Sequence, residues 1–155
     1  MAIDKKKYGS LYQEHYLEQY KIYINSIDKI SERRESANRY FVSINSTLIV
    51  LSGFVVQYTH NKQGLMLSGI ACIGIIVSVI FWILINSYKQ LNTAKFAILH
   101  KIEHKLPLEL YKKEWDVLGQ GKDIKKYFPF SHVERIVPIV FLLSYIVILV
   151  IVVFF

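Results

Sequence analysis

Three long stretches of this 155-residue chain contain no Asp, Glu, Lys or Arg. They cover Tyr40–Tyr58, Leu65–Ser87 and Ile136–Phe155. Each is close to the roughly 20 helical residues needed to cross a bilayer core. Lipid offers no water to a lone backbone, so such stretches cross as helices. The pattern therefore selects an all-α integral membrane protein with three transmembrane helices. Charge mapping supports this for a chain that is 53% hydrophobic yet 20% charged. Eighteen of its nineteen Lys and Arg, and all twelve acids, fall within residues 1–39 and 89–135. The remaining cation, Lys62, lies between the first two stretches.

Positive-inside bias puts the two charged blocks in the cytoplasm and the Lys62 loop outside. The expected division is a cytoplasmic amphipathic helix at 1–39 and spans at 40–58, 65–87 and 136–155. An external loop covers 59–64, and a cytoplasmic helical segment covers 88–135. The N-terminus is then cytoplasmic and the C-terminus outside. The first apolar stretch begins too late for a cleaved signal peptide. A net charge of +7 suits contact with anionic lipid heads. Acids interleave with the bases in both blocks, which argues against nucleic acid as a partner. A single cysteine, Cys72, excludes an intramolecular disulfide and reads as a small packing residue.

The cytoplasmic blocks carry apolar residues at helical spacing. Tyr12, Tyr16, Tyr20, Tyr23, Ile27 and Ile30 recur in steps of three and four. No Pro or Gly separates this stripe from the first span, so one helix of about 70 Å is expected over residues 10–58. A second helix over 88–106 ends at Pro107, and a short one follows around Leu108–Leu118. Residues 122–132 read as a loop. Such stripes cannot be hidden by an isolated helix, so they pack on one another or on another copy.

The first span bears a polar row. Asn38, Asn45 and Ser52 lie seven apart, and Ser46, Gly53 and Gln57 lie beside them. Helices in lipid associate through small residues and side-chain hydrogen bonds. The row fits either a dry seam between helices of an oligomer or the lining of a wet pore. Gly74 and Ser78 on the second span permit close helix packing. The third span carries Ser144 as its main polar side chain, faces lipid, and has Pro138 in its first turn, where proline is tolerated. With no ionisable residue inside a span, coupled transport is disfavoured. His100 and His104 flank Glu103 in an H-x-x-E-H pattern. They are weak metal candidates, because catalytic zinc needs a third ligand. No catalytic residue and no cofactor are assigned.

Tyr20–Lys21, Asp28-Lys-Ile-Ser-Glu-Arg-Arg34 and Asn38 form one characteristic group. Glu114-Trp115, Leu118-Gly119 and Gly121-Lys-Asp123 form a second. Tyr127, Pro129, Ser131-His132, Glu134 and Val137-Pro138 form a third. With these groups the chain resembles the RipA-type family of small octameric membrane proteins of bacteria, over nearly its whole length. The resemblance implies a homo-octamer in the cytoplasmic membrane and no catalytic residues. Structurally, Trp115 is expected to bury in the cytoplasmic layer, Gly119 and Gly121 to free a turn, and Pro129 and Pro138 to fix the start of the third span. His132 and Glu134 are expected at the membrane surface, with His132 the candidate for a pH-sensitive gate.

The expected function is a non-enzymatic, ring-like homo-oligomer serving as a channel-like pore or a scaffold, in envelope or stress adaptation. Two alternatives stay open: a membrane-damaging effector of a defence or signalling system, and a membrane zinc peptidase. The sequence names no protein partner beyond further copies of the chain.

Overall fold

The computed structural model describes residues 5–59, 62–122, 126–127 and 130–154. Among the described residues five α-helices follow one another: α1 (Lys5–Tyr8), α2 (Tyr12–Tyr58), α3 (Gln63–Glu103), α4 (Leu110–Val117) and α5 (Phe130–Phe154). A 3₁₀ turn at Gly119–Gly121 follows α4, and no strand occurs among the described residues. The helices α2, α3 and α5 are long and apolar enough to cross a membrane.

Hydropathy marks only part of each of these helices. The helix α2 runs 47 residues without a break, joining the tyrosine stripe to the first span. The helix α3 likewise continues past its apolar part for 41 residues in all. It closes at Glu103, where the Lys105 and Leu106 amides turn back onto the Ile102 and Glu103 carbonyls, just before Pro107. At Phe130, α5 starts inside the segment expected to be loop. Pro138 therefore stands in its third turn, not its first. A proline there has no N–H for the carbonyl four residues back, that of Glu134.

The chain divides into two compact units. One, the layer unit, holds Met1–Glu32 and Leu91–Tyr127. In it, Tyr12, Tyr16, Tyr20, Tyr23, Ile27 and Ile30 all lie on the shielded side of α2, and Leu99 of α3 is fully buried. The other, the membrane unit, holds Arg33–Gln90 and Phe128–Phe155. Its core contains Leu67, Ala71, Phe81, Ile85 and Tyr145. The Phe41 and Phe81 rings stack there with centroids 5.0 Å apart. Outward, α3 and α5 present Ile, Val, Leu, Met and Phe side chains, which suits lipid contact.

Candidate functional site

Polar groups in the membrane unit gather around Asn45, which is 0% exposed. Its side-chain nitrogen donates to the Phe41 carbonyl at 2.8 Å, one turn back. Its side-chain oxygen accepts the Ser78 hydroxyl at 3.1 Å. Its backbone carbonyl accepts the Tyr145 phenol at 3.0 Å. One residue thus joins α2, α3 and α5. Gly74 leaves the space for it, since a Cβ at that position would overlap the Tyr145 ring. The Ser52 hydroxyl turns back to the Leu48 carbonyl at 2.9 Å. An unpaired polar group in an apolar setting costs several kcal/mol, so these groups close on each other.

The polar row of the first span therefore separates into two. Asn45 and Ser52 are buried among helices of one protomer instead of facing another copy or water. Ser46, Gly53 and Gln57 are exposed, as is Ser43. They lie about 80° or more round the helix from Asn45, on a side that α3 and α5 leave open. No atom lies within 4 Å of a Cβ built at Gly53, in contrast to Gly74. On α5, the Ser144 hydroxyl donates to its own helix's Val140 carbonyl at 2.9 Å. Tyr145 is the polar side chain of that span that reaches another helix. Sequence reasoning missed it, although it is the sole phenol among the apolar residues of 136–155.

A second cluster of the membrane unit surrounds Glu134, which is 6% exposed. The Asn38 amide donates to its Oε1 at 2.7 Å, and Arg34 Nε stands 3.6 Å from the same oxygen. Glu134 Oε2 and Asn38 Oδ1 are enclosed without a partner among the described residues. Pro138, itself buried, takes the helical donor from the Glu134 carbonyl. Pro129 and the side chain of His132 lie outside the described residues.

The layer unit is organised by a different acid. Glu103 is 0% exposed and accepts the Tyr20 hydroxyl at 3.0 Å. It also accepts the Tyr111 and Lys112 amides at 3.2 Å each. These are the second and third residues of α4, so Glu103 caps that helix from a distance. Its negative charge also suits the positive end of the helix dipole. Tyr16 donates to the Ile102 carbonyl, and Tyr23 to the Lys95 carbonyl at 3.4 Å. Lys95 Nζ donates to Ser26 Oγ at 2.7 Å and lies 4.9 Å above the Tyr23 ring. Burial, then the bond to Glu103, pushes the Tyr20 phenol up to about 12. Burial also raises Tyr16, Tyr23 and Tyr111.

The H-x-x-E-H pattern serves this cap. His104 is exposed and bonds Glu109 at 2.6 Å. His100 lies edge-on to Phe96, with ring centroids 6.4 Å apart, and its enclosed Nε2 has no partner among the described residues. No group of three or more His, Cys, Asp or Glu able to hold a metal ion occurs among the described residues. Lys112 first, then His104, holds the Glu109 carboxyl down at about 2. Trp115 is 39% exposed, not buried, and meets Tyr127 edge-on at 6.4 Å. Its helix α4 ends in a left-handed turn, with φ of 69° at Gly119 and Gly121 and 55° at Gln120. Glycine takes this conformation without a Cβ penalty, which accounts for the two glycines.

Three helices long and apolar enough to cross a membrane, a buried polar lock and an apolar exterior describe a subunit more than a reaction centre. Residues 17–154 match the octameric membrane protein family, 8xMP. The chain belongs to that family. No curated protein and no solved structure matches it. As a member of 8xMP it is a multi-pass membrane protein of a family described as octameric, and that description names an assembly and no reaction.

Proposed function

We propose that this 8xMP protein is a non-enzymatic subunit of a homo-octameric scaffold in the bacterial cytoplasmic membrane. The scaffold holds a helical layer at the inner face. The observation that carries this reading is the enclosure of Asn45, Ser78 and Tyr145. Asn45 accepts from Ser78 and Tyr145 inside a protomer and all three are buried, which supports a closed interior over a polar-lined path. The concentration of Lys and Arg in residues 1–39 and 89–135 supports the cytoplasmic placement of the layer. Exposed cations there also suit anionic lipid heads.

A channel-like pore is the second reading. The exposed Ser43, Ser46, Gly53 and Gln57 favour it, because they form a polar row on α2 while the outward sides of α3 and α5 are apolar. Ion flux through liposomes carrying the purified octamer separates the two. The scaffold gives flux equal to that of empty vesicles, before and after Ser46→Trp. Flux above that background, abolished by Ser46→Trp, would establish the pore instead.

A further inference from the structure

Large apolar side chains stay exposed in the layer unit as well as in the spans. Leu11, in the turn just before α2, and Ile22 on α2 are exposed, as are Leu91 and Ile98 on one face of α3. Lipid covers such residues within a bilayer but not in an aqueous layer, where only protein can.

Both faces have a definite position. The Tyr16 and Tyr23 hydroxyls bond the Ile102 and Lys95 carbonyls, so the two helices run antiparallel and seven residues separate the bonds on each. Residues 18 and 100 thus stand at one level, as do 14 and 104, and 22 and 96. The tyrosine side of α2 faces α3. Glu14, Glu18 and Ile22 lie on the side of α2 away from it, Leu11 stands in the turn just before the helix, and all four are exposed. On α3, Leu91, Ala94, Ile98 and Lys101 form an exposed row turned away from α2, and exposed Lys105 follows just beyond the helix. One outer face therefore carries apolar residues and two acids, with Lys21 beside them, and the other is apolar and basic. Acid and base come within one residue of matching levels at Glu18 and Lys101, the apolar Ile22 within two residues of Ile98, and Lys105 follows the end of α3 towards the level of Glu14.

A closed ring of identical subunits needs two different, complementary faces, because its contacts are head-to-tail. Copies in one membrane share an orientation, so they are related by rotation about the membrane normal and meet level to level. We infer that the Leu11–Glu14–Glu18–Ile22 face of one copy docks on the Leu91–Ile98–Lys101–Lys105 face of the next. This deepens the scaffold reading and rests on it. In the single protomer Glu18 has an exposed ion pair with Lys21 at 3.5 Å, a pair weak enough to yield to a better partner.

Charge reversal in the full-length protein tests the docking, with subunit number read by native mass spectrometry from nanodiscs. Glu14→Lys with Glu18→Lys should lower the octamer fraction about tenfold or more, since like charges then face each other. Lys101→Glu with Lys105→Glu should do the same, and combining all four should restore the octamer. In a Cys72→Ser background, Glu18→Cys and Lys101→Cys should form an intersubunit disulfide only when both are present. Retention of the octamer by both double variants, or no recovery in the fourfold variant at unchanged helicity, would overturn the inference. An unreversed protein that is itself monomeric would instead overturn the scaffold reading.

Discussion

The layer unit and the membrane unit each bury one glutamate, and they treat it differently. Glu103 receives a phenol and two amides, so both carboxylate oxygens are engaged. Glu134 receives one amide and a guanidinium at 3.6 Å, both on Oε1. Its other oxygen has no partner among the described residues. The membrane unit instead draws its cohesion from neutral groups, Asn45, Ser78 and Tyr145. A charge is expensive to bury unless fully hydrogen-bonded, whereas an amide and two hydroxyls need only each other. An acid can organise the layer because a helix end supplies spare donors there. Deep in the spans every amide is already committed to its helix.

The contrast can be broken most severely at Glu103. Glu103→Ala removes the distant cap and leaves the Tyr20 hydroxyl without its acceptor, at an expected cost of about 3 kcal/mol. Thermal unfolding followed by circular dichroism would report it. Gly74→Ala drives a methyl into the Tyr145 ring, and about 2 kcal/mol of overpacking strain is expected in the same assay. Gly53→Ala is the control, because nothing occupies the space beside it. The substitution should be neutral or stabilise the protomer by up to about 1 kcal/mol.

Smaller effects sharpen the difference. Tyr145→Phe keeps the ring and loses one bond, for about 1 kcal/mol. Glu134→Gln keeps the oxygen that accepts from Asn38 and should change stability less than Glu103→Gln does in the same melts. The smallest effect is one of pH. The Glu109 carboxyl falls from 4.5 to about 2 on folding, so its contribution is complete above 4.5 and lost as pH drops towards 2. The Tyr20 phenol rises from 10.0 to about 12, so its contribution is lost as pH climbs through that interval. Helicity of Glu109→Gln should therefore vary less than that of the unaltered protein between pH 4.5 and 2.

Periodicity and charge made much of this legible. The tyrosine stripe follows from steps of three and four, and the membrane-crossing helices from charge-free runs. Helix ends were not legible, because hydropathy detects the lipid-facing part of a helix and not its continuation into water. The start of α5 at Phe130 falls in a segment that read as loop because it contains Pro129, and the charges of Glu134 and Arg135 set the start of the charge-free run at Ile136, which moved Pro138 by two turns. The central polar cluster was half visible. Asn45 and Ser78 stood out as polar residues in apolar runs. Tyr145 did not, since a phenol in a span reads equally well as a packing ring. Glu103 was hidden between two histidines whose spacing imitates a metal site. Its capping role depends on how the chain folds back after Pro107, which no local pattern encodes. The exposure of Trp115 and the division of the first-span row depend on which sides of the helices neighbours cover.

The most direct test of the account is cryo-electron microscopy of the octamer in nanodiscs, at a resolution that shows the Asn45 side chain. The account predicts Asn45 bonded to Ser78 and Tyr145 within each protomer, with the acidic face of each layer unit against the basic face of the next. Asn45 and Ser52 turned towards a hydrated central axis would contradict it.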